Sequence, residues 1–280
     1  MFEFLAQIWA LPFMRGAIYA GILVSIVAGI VGTLVVLNRI VFISGGIAHA
    51  AYGGVGLAYF LGLDPILGAL GFSLLSSLTM GLVQQGKRQS ADTIIGVIWA
   101  LGMALGIIFL SLSPGYKADL MSYLFGSILA VSALDLQLMM AVAVLVTVFA
   151  ALFYRPLLAI SFDETFSRVR NLPVTALYLT MIVLIGLSVV IAMRVVGLIL
   201  VIALLTIPAA IASLFLRDMR EIMFLAGFLA LVFTLSGLVA AFALDLPAGA
   251  VIILIMGLAY LAAYALQTLG QRRKARLTTA

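Results

Sequence analysis

The chain has 280 residues, of which 66% are hydrophobic and only 9% charged, with a formal net charge of +5. A soluble domain carries about 25% charged residues, so this surface is too poorly charged to face water throughout, and lipid has to cover much of it. The absence of cysteine excludes disulfides and thiolate metal sites, and anchoring of cytoplasmic loops accounts for the positive balance without nucleic acid.

The opening segment, MFEFLAQIWALPFMRG, carries Glu3 and no basic n-region, so it lacks the charge pattern of a cleaved signal peptide. Its Phe2, Phe4, Leu5 and Trp9 predict a short interfacial helix leading into the first span. A membrane helix needs about 20 apolar residues. Nine stretches meet or approach that length: 16–37, 42–61, 66–84, 93–112, 134–153, 173–192, 196–216, 221–243 and 247–267. An apolar piece at 119–132 is shorter and reads as re-entrant or peripheral. The expected fold is all-α, a polytopic transmembrane helix bundle of about 8–10 spans. Residues 1–280 form one transmembrane domain, with a basic cytoplasmic tail at 270–280.

The second span holds Gly45, Gly46, Gly53, Gly54 and Gly56, and the fourth carries a GxxxG pair, Gly102 and Gly106. Such faces let helix backbones approach closely in lipid. The same second span contains His49, the only histidine. Polar side chains inside a membrane are costly and tend to face a cavity or a pathway. Imidazole also suits zinc, iron and nickel, while manganese favours carboxylate and water. His49 is therefore a candidate metal ligand on a translocation path; the competing reading is a histidine hydrogen-bonded to a neighbouring helix.

Asp64-Pro65, between the second and third spans, reads as turn and N-cap chemistry. After the third span, Gly81 to Lys87 nearly spells a phosphate-binding loop. Arg88 stands where Ser or Thr would hold magnesium, and no strand precedes it, so the match fails. Any ATP-driven action then needs a separate subunit.

The longest polar connection, 154–172, predicts a short helix over 161–171 with Ser161 as N-cap and Glu164 closing a capping box. Phe162, Phe166 and Val169 share one face. Asp163 and Glu164 in the first turn, and Arg168 and Arg170 in the last, complement the helix dipole. Asn171 suits the left-handed C-terminal position and Pro173 stops the helix. Such a helix either rests on lipid headgroups or docks into a cleft of a cytoplasmic partner. Further on, Pro208 lies inside the seventh span, where it removes a backbone donor and predicts a kink, either plain curvature or a candidate gate hinge. Asp245-Leu246-Pro247 lies in the last outer connection, where the Asp245 carboxylate either attracts entering cations or serves turn and helix-start chemistry.

Orientation follows from the basic residues. With the C-terminus inside, twelve of the 15 Lys and Arg fall on the inner side, leaving only Arg15, Lys117 and Arg194 outside. That is a positive-inside distribution. Nine crossings then place the N-terminus outside, against which Arg15 is the one contrary charge, so eight or ten spans stay open.

Several segments, in order along nearly the whole chain, resemble the permease family of bacterial and archaeal metal ABC importers, those for zinc, manganese and iron. They are Ile43 to Gly54 around His49, Asp92-Thr-Ile-Ile-Gly96, and Tyr123-Leu-Phe-Gly126 through Ser132. Phe162-Asp163-Glu164 with Leu172-Pro173-Val174, Val196 to Ala210 around Pro208, and Asp245 to Gly249 complete the set. The resemblance implies a multi-pass protein of the cell (inner) membrane, acting as a homodimer or paired permeases around one path. It also implies two cytoplasmic ABC ATPase subunits and an extracytoplasmic metal-binding protein as partners. The helix at 161–171 would be the coupling helix, with Ser161, Phe162, Asp163, Glu164, Phe166 and Arg168 as its ATPase-facing residues. The chain itself would be no enzyme and would hold no permanent cofactor, the divalent metal ion being its cargo. The chain departs from the family pattern at Gly45 and Ser127, positions where many relatives carry Asp.

Two other classes compete. A secondary transporter coupled to protons or sodium places carboxylates inside spans and often shows inverted repeats, neither of which stands out here. An intramembrane enzyme would need a catalytic pair within the spans, and no His-Glu or Asp-Asp motif is visible.

Overall fold

The computed structural model describes residues 11–86, 91–114 and 128–278, and among them the chain is helical with no strand. The helices are α1 (Pro12–Leu37), α2 (Val41–Leu61), α3 (Pro65–Gln85), α4 (Ala91–Leu112) and α5 (Ala133–Leu152). They continue as α6 (Tyr154–Phe162), α7 (Glu164–Val169), α8 (Val174–Val196), α9 (Leu198–Phe215), α10 (Met219–Leu244) and α11 (Ala248–Thr278). All but α6 and α7 are long and apolar enough to cross a membrane, giving nine candidate spans among the described residues. Eight of the predicted spans start and end within a few residues of these helices. The last runs about ten residues past its predicted end because the basic segment after Leu266 stays helical beyond the apolar stretch. The predicted N-terminal interfacial helix falls on residues 1–10, outside the described residues. Of the piece at 119–132, the described part contains a single 3-10 turn, Ile128–Ala130.

The ends of these helices are set by local chemistry. Asp64 caps α3, its Oδ1 accepting the Ile66 N–H at 2.7 Å, as the Asp-Pro pair predicts. Ser132 and Asp135 form a reciprocal capping box at the start of α5. Between α8 and α9 the chain turns back through one residue, Gly197, at φ +88° and ψ 158°. That region of backbone space is essentially open only to glycine.

Packing is centred on α1 and α2, the two most enclosed spans. α1 is surrounded by α5, α9 and α10; α2 lies between α3 and α4, with α8 and α9 behind it. Small residues bring the backbones together. A Cβ on Gly53 would lie 2.8 Å from the Gly102 carbonyl oxygen, and one on Gly56 would collide with that of Gly106. The GxxxG pair of α4 thus faces α2. Gly54 and Gly68 close the α2–α3 contact in the same way. This packing fixes α2, and with it His49, at the middle of the bundle.

Candidate translocation and coupling sites

His49 projects from α2 and stacks on Trp99 of α4, with ring centroids 4.3 Å apart and planes 12° off parallel. The Trp99 indole N–H donates to Met103 Sδ at 3.2 Å, and the Phe42 ring lies tilted against the indole at 5.7 Å. The stack fixes the imidazole plane, while His49 Nδ1 is buried and has no hydrogen-bond partner among the described residues. His49 is thus held to its neighbouring helix by ring stacking rather than by the hydrogen bond of the competing reading. One turn earlier on α2, Gly45 faces Ile202 of α9. Gly45 and His49, one turn apart, lie on the same face of α2. Among the described residues no cluster of three or more His, Asp or Glu side chains could hold a metal ion.

The other predicted site residues are not gathered around His49. Asp245 is exposed in the α10–α11 connection, where it ends α10 in a left-handed conformation at φ +53°. Pro208 is buried within α9, which continues as one helix from Leu198 to Phe215. Just before it, Thr206 Oγ1 donates to the Ile202 carbonyl at 2.7 Å, a local bond of the kind that bends helices.

The polar connection after α5 corrects one expectation. Ser161 is not the N-cap, and the docking helix does not run over 161–171. Leu157 and Ile160 are buried against the bundle, the latter with Val174 and Leu177 of α8. That burial keeps the chain helical through Phe162, so Ser161 lies inside α6. The break comes at Asp163, in extended conformation at φ −150° and ψ 97°. Asp163 caps the short α7, its Oδ1 accepting the Phe166 N–H at 2.8 Å. An S-x-x-E pattern suggested the cap, but with Ser161 held inside α6 the carboxylate two residues later takes the role.

The rest of the expected motif is present. Glu164 and Arg168 pair one turn apart at 2.7 Å, Arg170 lies over the Phe166 ring at 5.2 Å, and Asn171 has φ +56°. The apolar face is open: Phe162 is 69% exposed, Phe166 52% and Val169 77%.

Two polar links were missed by the sequence reading. Asn38, in the α1–α2 turn, donates from Nδ2 to Ser161 Oγ at 3.0 Å and to the Leu34 carbonyl at 2.8 Å. It ties the α6–α7 segment to the helix that carries His49. The same turn, the end of α3 and the α6–α7 segment enclose a polar cleft of about 780 Å³. A lone Asn in VVLNRIVF was the available signal. At the opposite end, Arg194 of α8 pairs with Asp135 of α5 at 2.8 Å, and Asp135 also accepts from the Ser132 hydroxyl at 2.6 Å. An acid in the first turn of one span and an arginine in the last turn of another, on the same predicted side, was the clue.

Known proteins agree with this architecture. An uncharacterized membrane protein of Synechocystis, slr2045, is 50% identical over 261 residues, covering 93% of both chains. The manganese transport system membrane protein MntC of Listeria monocytogenes is 32% identical over 261 residues, again 93% of both. Among solved structures, PsaBC from Streptococcus pneumoniae in complex with Fab superposes with a TM-score of 0.83 at 32% identity, over 94% of each chain. A description of the family as a whole, ABC 3 transport family, matches residues 10–267. That match takes in eight candidate spans whole, most of the ninth and both candidate sites, and the chain belongs to the ABC 3 transport family.

Proposed function

We propose that the chain is the transmembrane permease of an ATP-binding-cassette importer for divalent metal ions (zinc, manganese or iron), with manganese favoured by the names of several relatives. ATP is hydrolysed by separate cytoplasmic ATPase subunits, an extracytoplasmic metal-binding protein delivers the ion, and two copies of the chain enclose one path. The observation that carries the coupling role is the exposure of Phe162, at the end of α6, and of Phe166 and Val169 on the short capped α7, at the basic end of the bundle. An exposed apolar face beside paired charges suits a groove on a protein partner. Asn38 then passes the motion of that segment to the α1–α2 turn. His49 offers an imidazole to the passing ion, Asp245 attracts cations at the outer face, and Pro208 supplies the hinge.

A single imidazole without a carboxylate holds a divalent cation weakly and leaves it largely hydrated, which suits transit. A carrier driven by protons or sodium would need free ionisable groups within its spans. Here Asp135 is engaged by Arg194 and Ser132, and that alternative is not favoured. Replacing both Phe162 and Phe166 by Ala removes the anchors without touching the buried core. The double variant is expected to insert normally, lose co-purification with its ATPase, and lose uptake. Undiminished co-purification would overturn the docking role.

A further inference from the structure

Between α1, α5 and α10 lies an almost wholly apolar groove of about 460 Å³. Small residues, Ser25, Ala151 and Gly227, make room for it, and Ile26, Phe224 and Phe228 wall it. At its end, Arg220 of α10 lies over the Tyr154 ring of α6, 4.2 Å from guanidinium carbon to centroid, with no carboxylate partner among the described residues. Arg220 belongs to the basic set that marks the cytoplasmic side. From Arg220 to Leu231, the far residue of the lining, the helix rises about 16 Å, which is one leaflet's share of a hydrocarbon core about 30 Å thick.

We infer that this groove is a specific site for an anionic phospholipid of the inner leaflet. One acyl chain lies between α1, α5 and α10, and the phosphate meets the Arg220 guanidinium. Depth, apolarity and charge each select the same occupant. An acyl chain fills a groove one leaflet deep, and the cation at the headgroup level favours a negative headgroup over a zwitterionic one. The π-face of Tyr154 holds the guanidinium at that level and adds an interfacial ring of the type that anchors spans. A second copy of the chain is the rival occupant.

The test uses the full-length chain reconstituted in dioleoyl phosphatidylglycerol or dioleoyl phosphatidylcholine, with native mass spectrometry reading retained lipid. Wild type is expected to keep phosphatidylglycerol in preference to phosphatidylcholine. Arg220→Gln should lose about fivefold of that preference, the contribution of one basic group near an anionic surface. Ala151→Trp, at an exposed floor position, should lose both lipids. If Ala151→Trp fails to insert, Arg220→Gln on the exposed rim decides alone. Equal retention of the two lipids by wild type, or an unchanged preference in Arg220→Gln, overturns the proposal. So does a wild-type dimer that dissociates in Ala151→Trp while lipid retention stays the same, which would give the groove to a second copy.

Discussion

At position 49 two demands meet on one side chain. The ring stack with Trp99, a type of contact worth about 0.5–1.5 kcal/mol, explains how a polar residue is tolerated deep among apolar helices. It leaves the buried Nδ1 unaccounted for, and an unsatisfied buried polar atom carries a penalty of about 1–3 kcal/mol. On the proposed reading, a passing cation or its hydration water would relieve that penalty. The two roles separate by substitution. His49→Phe keeps an aromatic ring against Trp99 and removes the lone pair; Trp99→Leu removes the stack and keeps the imidazole. Uptake of radiolabelled manganese is expected to fall about tenfold or more in His49→Phe, equivalent to ~1.4 kcal/mol of lost interaction, and less in Trp99→Leu. Wild-type uptake in His49→Phe would return the residue to a packing role. The histidine itself was legible in the sequence as the chain's one histidine, set in a Gly-rich span. Its partner was not, because Trp99 is fifty positions away and nothing in either segment fixes the rotation of α4 against α2.

Among the elements, the glycine stripes of α2 and α4 decide how near His49 lies to Trp99. Gly56 shows the constraint most sharply, since a Cβ there would run into the Gly106 carbonyl, a backbone atom that cannot swing away. Gly56→Ala should force α2 and α4 apart and cost about 1–3 kcal/mol, as overpacking does, with a lower thermal midpoint in detergent. Gly71, on α3, has nothing within 4 Å of its would-be Cβ, and Gly71→Ala is expected to be neutral or stabilising by up to ~1 kcal/mol. Equal midpoints for the two variants would mean that α2 and α4 are not in close contact. The existence of the spans was easy to read because hydropathy is a local property. Their neighbours were not, because membrane helices associate through small-residue contacts that sequence spacing permits but does not assign. The cap of α7 failed for a related reason. Ser161 and Glu164 fit the local pattern, but burial of Leu157 in the main core and of Ile160 against α8 carried the preceding helix through Ser161 and handed the cap to Asp163.

For the molecule as a whole, the two ends of the bundle are held by different chemistry. The basic end is joined by Asn38 to Ser161, by Arg220 over Tyr154, and by Gln267 Nε2 donating to the Leu214 carbonyl at 2.8 Å. The other end is joined by the Asp135–Arg194 pair. Links of this kind require consecutive spans to run in opposite directions, so Val169 and Asp245, separated by α8, α9 and α10, lie on opposite faces of the membrane. The absence of native cysteine makes this directly measurable. Val169→Cys should react with a membrane-impermeant maleimide only from the cytoplasmic side, in inside-out vesicles. Asp245→Cys, exposed in the α10–α11 connection, should react only from the outside, in right-side-out vesicles. Reaction of both from one side would require an even number of crossings between them. The weak point would then be the one-residue turn at Gly197, because without a true reversal there α8 and α9 would count as a single broken span. The exposed face of Phe162, Phe166 and Val169 proposed to dock the ATPase would be unaffected, but Asp245, proposed to attract entering cations, would lie on the ATPase side, and the proposed import path would lose its outer contact.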